Sequence, residues 1–178
     1  NQHTDGWKPP LGEVRKATVV RARAFRPDAQ PSPVATHTYF IGAAARHTDG
    51  LPVLSLATDP AGLVAHNRGI YMLGQVFADY VAAHLSEPLT GHTPANYTQR
   101  GAAWNRDASL EFFEPTGARA LAQPVQLDIK GQSTRSFRQK SFGLAARTDR
   151  GGRGRFEYAL FPGLERLGDG APLEQFRS

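Results

Sequence analysis

The sequence predicts an α+β, strand-rich fold, and three observations carry that expectation. Short stretches of alternating apolar and polar residues recur along the chain, the period of half-buried strands. Turns rich in proline, glycine and aspartate separate them. Only Gln75–Ser86 shows convincing helical spacing, with Val76, Phe77, Tyr80, Val81 and Leu85 on one face.

In chain order, Asn1–Gly12 is polar, carries the Asp5-Gly6 turn and the Pro9-Pro10 pair, and has Trp7 as its anchor. Lys16–Phe25 reads as a strand, with Thr18, Val20, Ala22 and Ala24 forming the more apolar row. After the proline-rich turn Arg26–Pro33, Val34–Ile41 reads as a second strand. Two strands joined in this way predict the last hairpin of a β-sandwich, an incomplete Ig-like module. A lone hairpin is marginal in water, so its missing strands are expected upstream of Asn1. Residues 43–50 have linker composition and set the expected boundary between 1–42 and 51–178.

Beyond the linker, Pro52–Ala57 is a short apolar strand, and Thr58-Asp59-Pro60 has the form of a helix start. The Ile70–Leu73 run within Gly69–Gly74 predicts another short strand, and Pro88–Arg100 a polar loop. Ala108–Glu114 is expected as a strand that turns at Pro115-Thr116-Gly117 toward Ala118–Leu121. Thr148–Gly154 reads as a flexible tip, followed by a strand over Arg155–Leu160 and a turn at Phe161-Pro162-Gly163.

Pro124–Arg147 carries the densest chemistry. Val125, Leu127 and Ile129 alternate with Gln126, Asp128 and Lys130 in a first arm. In the second arm, Gln139–Arg147, alternation places Lys140, Phe142, Leu144 and Ala146 on one face. An ammonium heading an apolar row is costly unless an anion meets it. The loop between the arms, GQSTRSFR, holds three hydroxyls and two arginines and no acid, so it offers donors suited to phosphate. The same composition also describes a solvated hairpin tip, with Lys140 reaching to water. Neither G-x-G-x-x-G nor G-x-x-x-x-G-K-[ST] occurs.

The 178 residues suffice for one domain, or for one small module plus part of a larger one. Ten phenylalanines and two tryptophans make a packed core feasible. With no cysteine, disulfide scaffolds and thiolate metal sites are excluded. No apolar run is long enough to span a bilayer. The net charge of +5 is local: Lys130–Arg155 holds eight basic residues against Asp149, leaving −2 for the rest. Concentration of that kind favours a site over general nucleic-acid affinity. Both ends read as cuts through a longer polypeptide, and no leader pattern opens the chain.

No enzyme mechanism assembles from these residues alone. The six histidines are scattered without HExxH, and G-x-S-x-G is absent. Glu111 and Glu114 fall on opposite faces of one strand and form no carboxylate dyad. Neither a catalytic residue nor a metal ligand is assigned within the chain.

Five phrases in order carry a resemblance. They are LPVLSLATDPAGLV at Leu51–Val64, RGIYMLG at Arg68–Gly74, NYTQRGAAWNRDASLEFFEPTG at Asn96–Gly117, VQLDIKGQSTRSFRQKSFGLAAR at Val125–Arg147 and FEYALFPG at Phe156–Gly163. Together they resemble the spore-coat protein H (CotH) kinase family, atypical protein kinases that are secreted or surface-associated. Upstream, TVVRARAFRPDAQPSPVATHTYFI at Thr18–Ile41 resembles the end of a chitobiase/β-hexosaminidase C-terminal module, an Ig-like unit that often precedes such domains.

The resemblance implies that 51–178 is the N-terminal part of a kinase-like N-lobe. Lys140 then matches the strand lysine that pairs with nucleotide phosphates, and Gly131–Arg138 the covering loop. Gly131, Ser133, Thr134 and Arg135 join Lys140 as expected phosphate contacts, Arg135 through bidentate bonds. ATP and Mg²⁺ are the implied cofactors of the full-length protein, and a nucleotide and a protein substrate its partners. Metal ligands and catalytic base are expected beyond Ser178, so these residues alone are expected to be inactive. The implied location is secreted or cell-surface, with glycan or cell-wall contact through the Ig-like part. The alternative is a non-catalytic surface scaffold binding glycan or protein.

Overall fold

The computed structural model describes residues 11, 16–42, 50–149, 154–158 and 175–176. Over these the chain is strand-rich with few helices, the coarse α+β class expected. A two-stranded sheet pairs β1 (Thr18–Ala22) with β2 (Ala35–Tyr39), antiparallel, with Val20 opposite His37. A four-stranded sheet runs in the order β3-β4-β5-β6, formed by Val53–Thr58, Arg106–Phe113, Arg119–Lys130 and Ser141–Ala146. A short antiparallel pair joins β7 (Phe156–Glu157) to β8 (Gln175–Phe176). The expectations for Asn1–Gly12, for 43–49, and for most of Thr148–Gly154 and of Arg155–Gly163 lie outside the described residues. No helix among the described residues is long and apolar enough to cross a membrane.

The chain groups into two compact units. One contains Thr58–Asp107 and Gln126–Leu144; the other contains β1, β2, most of β3, and Ala108–Val125. In the second unit the β1–β2 hairpin is bound through hydroxyls. The buried Thr38 hydroxyl donates to Glu111 Oε2 at 2.6 Å, so the Ser55 hydroxyl, 2.7 Å away, donates to Thr38. Thr36 and Ser109 share a further bond at 2.8 Å, and Phe40 meets Phe113 edge to face at 5.1 Å. Glu111 is buried, and Arg119 closes its other oxygen at 2.9 Å. A buried carboxylate is tolerable on such terms, with each oxygen satisfied.

The first unit starts as its sequence prescribes. Asp59 caps α1 (Pro60–Val64) by accepting from Ala61 N at 3.0 Å, and Pro60 occupies the first turn, where no donor is needed. The next expectation fails: Ile70–Leu73 forms no strand. Ile70 and Tyr71 instead donate to Gly62 and Leu63 carbonyls at 3.0 Å, folding this segment back onto α1. Helix α2 (Gly74–Ala83) confirms the predicted helix but stops short. His84 stacks on Tyr80 and its Nδ1 lies 2.8 Å from the Tyr80 carbonyl, so the last turn opens and Leu85 is 87% exposed.

Asn96 fixes the segment ahead of α2. Only 1% exposed, it accepts from Val76 N at 3.1 Å and donates to His66 and Gly69 carbonyls at 2.9 and 3.2 Å. Gly74 makes room for it: at φ +64° a Cβ there would lie 2.0 Å from Asn96 Nδ2.

In the central sheet, β4 and β5 are joined by a turn in which Glu114 N donates to Ala118 O at 2.9 Å. So short a connection makes the pair antiparallel. The Ala118–Leu121 run and the first hairpin arm merge into one 12-residue strand, β5, with Val125, Leu127 and Ile129 buried as the alternation predicts. The second arm departs from expectation. Strand β6 begins at Ser141, leaving Lys140 just ahead of it, and Phe142 is 40% exposed rather than part of a buried row.

Asn96→Ala removes the three hydrogen bonds that this buried side chain makes to backbone. It should cost about 3 kcal/mol in urea unfolding and raise amide exchange at Val76, while the β1–β2 amides stay protected.

Candidate functional site

At the end of β5 the chain must leave the sheet and reach β6 within ten residues. Gly131 makes the exit at φ +100°, where a Cβ would lie 2.1 Å from Thr134 Oγ1. Ser133–Ser136 then forms a 3-10 turn, pinned by Ser136 Oγ donating to Ser133 O at 2.8 Å. The predicted polar loop is therefore folded, not a solvated tip.

Arg135 is the reason. It is 4% exposed, and its guanidinium serves backbone carbonyls: Nε donates to Gly131 O at 2.8 Å, and Nη1 to Tyr97 O at 3.0 Å and Gln99 O at 2.9 Å. Nη2 donates to Ile129 O. Four of five N–H donors are thus committed to the protein's own backbone. Burial, then the neighbouring Arg100, lower its pKa, with Asp128 opposing. The bidentate phosphate contact expected of Arg135 has those donors spent on carbonyls, so Arg135 shapes the loop instead. Arg100 joins it on Gly131 O at 3.1 Å.

Lys140 sits where this loop meets β6. It is 9% exposed. Its Nζ donates to Phe137 O at 2.6 Å and lies 4.2 Å from the Tyr97 ring centroid and 5.1 Å from that of Tyr71. No carboxylate among the described residues pairs with it. Burial alone depresses its pKa from 10.5 to about 8. Burial also pushes the Tyr97 phenol up, so that ring stays neutral while Lys140 titrates. The Lys140 N–H donates to Tyr71 Oη at 3.1 Å, and the Tyr71 hydroxyl donates to Arg138 O at 2.8 Å.

Gly131, Thr134 and Arg135 are thus brought together in one turn that leads into Lys140. Ser133 and Thr134 lie exposed on it. Sequence reasoning missed Tyr71 and Tyr97, since neither spacing nor motif marks a ring that approaches from about 40 or 70 residues away. Among the described residues no group of three or more His, Asp or Glu could hold a metal ion. The arrangement can hold one positive charge, shielded from water and unneutralised, for an anion.

No family model matches the chain, and no curated protein or solved structure shows significant similarity to it.

Two substitutions separate the cations. Arg135→Lys leaves buried carbonyls that one ammonium cannot reach, and should cost about 2–4 kcal/mol in urea unfolding. Lys140→Met replaces a buried unpaired charge with an apolar isostere, and should stabilise by about 1 kcal/mol at pH 7.

Proposed function

We propose that this chain is the nucleotide-phosphate-binding part of an ATP-dependent protein kinase, with Lys140 as the phosphate-binding lysine. The observation that carries the reading is the desolvated Lys140 ammonium, with no carboxylate beside it among the described residues. Groups with strongly displaced pKa values concentrate where function needs them. The resemblance to the CotH kinases supports it further, since Lys140 and the turn from Gly131 fall at matching positions.

In this reading Lys140 and the exposed Ser133 and Thr134 hydroxyls hold the nucleotide's phosphates. ATP supplies the phosphoryl group, passed to a Ser or Thr hydroxyl of a protein substrate. The ammonium neutralises negative charge on the phosphates and shields it from water. Arg135 acts at one remove, holding the turn that carries the hydroxyls. Phosphotransfer also needs Mg²⁺ and a positioned acceptor, so these 178 residues alone should show no turnover. The parent protein is proposed to work in a secreted or surface setting.

In the intact protein, Lys140→Ala should abolish ATP binding by calorimetry, and unchanged binding would favour the non-catalytic scaffold. pH gives a second check with opposite signs for two observables. Only the cationic amine holds phosphate, so ATP affinity should be steady below pH 8 and fall above it. Folding responds the other way. The unfolded chain, with an ordinary lysine near 10.5, binds the extra proton between pH 8 and 10.5. The burial penalty is therefore fully present below pH 8 and relieved across that window. The stability gap between wild type and Lys140→Met should narrow as pH rises from 8 to 10.5.

A further inference from the structure

Tyr71 makes an unusual set of contacts with one short stretch of chain. Its hydroxyl donates to Arg138 O at 2.8 Å and accepts from Lys140 N at 3.1 Å. A carbonyl can only accept and an amide N–H can only donate, so the hydroxyl's proton and lone pair are both assigned. Its ring lies 5.1 Å from Lys140 Nζ and 5.9 Å from the Phe142 ring. One side chain thus touches positions 138, 140 and 142.

The tyrosine is itself fixed. Tyr71 N donates to Leu63 O at 3.0 Å, while the next two carbonyls, of Met72 and Leu73, accept from Tyr97 N at 3.3 Å and Asn96 N at 2.7 Å. The hydroxyl is therefore presented from backbone tied to α1 and to the Asn96–Thr98 turn. Lys140 lies outside β6, so no strand pairing sets its backbone. The ammonium is held at its tip by Phe137 O and lies over the Tyr97 ring, while the phenolic bridge holds the backbone from which its four methylenes start.

We propose that Tyr71 is the positioning residue for Lys140, aiming the ammonium at the anion it receives through the 138–140 backbone bridge and the ring beneath Nζ. The proposal rests on the reading of Lys140 as the phosphate-binding lysine, and it assigns Tyr71 no contact with the nucleotide.

The test is Tyr71→Phe in the intact protein, which keeps the ring and deletes both bonds. Three quantities are read: exchange of the Lys140 amide, the titration midpoint of the Lys140 amine by NMR, and the Kd for ATP. Amide exchange should accelerate at least about tenfold, the midpoint should climb from about 8 toward the ordinary lysine value, and ATP should bind about tenfold more weakly. A purely structural tyrosine would leave the midpoint in place. Constancy of either the exchange rate or the midpoint overturns the proposal, as does a changed midpoint with wild-type ATP affinity. If the wild type itself binds no ATP, the kinase reading fails separately. Exchange and midpoint then decide the positioning role alone: movement of both upholds it, and constancy of either overturns it.

Discussion

A positive charge without a counter-ion is the constraint around which the described site is organised. Removing an ammonium from water is expensive, and proteins usually answer with a carboxylate or by leaving the head group at the surface. Lys140 receives neither from the described residues. Its Nζ has one carbonyl, that of Phe137, and the faces of Tyr97 and Tyr71. The depressed pKa is the signature of that environment, and burial is its only resolved cause. Everything nearby, from the glycine exit at 131 to the bridge from Tyr71, determines where this charge stands.

Arg135, five residues earlier, is buried more completely, yet its burial has a different meaning. A planar guanidinium with donors in a fixed fork can satisfy several carbonyls at once, and here it gathers those of Ile129, Gly131, Tyr97 and Gln99. The loop is thereby tied both to the strand it leaves and to the Asn96–Thr98 turn. A lysine at 135, with one ammonium in place of a planar fork, could not do this. Two cations in one basic window therefore differ: one builds the turn, and the other is buried with no carboxylate against it among the described residues.

The legible parts of the chain were those governed by neighbours in sequence. Alternation placed Val125, Leu127 and Ile129 in the core, and the Asp59-Pro60 pair marked a helix start, because strand period and capping act within a few residues. Lys140 stood out in the sequence for a reason the fold does not keep, since it lies ahead of β6 and is buried against Tyr71 and Tyr97 rather than in a row with Phe142. What failed was set from a distance. Ile70–Leu73 has the apolar content of a strand, but Asn96, Tyr97 and α1 claim its backbone groups first. Arg135 had the chemistry of a phosphate ligand until four carbonyls in the fold took its donors. The Ser55–Thr38–Glu111 chain of hydrogen bonds likewise joins residues that no local pattern connects.

The kind of partner given to Lys140 matters more than the number. A carboxylate would stabilise the ammonium by cancelling it, leaving nothing for a ligand to meet. A carbonyl oxygen and the faces of aromatic rings attract a cation through partial charges and quadrupoles, so they lower its energy while the net charge stays at +1. With only such neighbours among the described residues the site remains electrically incomplete, and the phosphate proposed for it would gain an interaction that none of them has used. On the proposed reading, that is also why an apolar residue at 140 would make the fold more stable and remove the binding: the lack of a carboxylate among the described neighbours costs stability and would create the attraction.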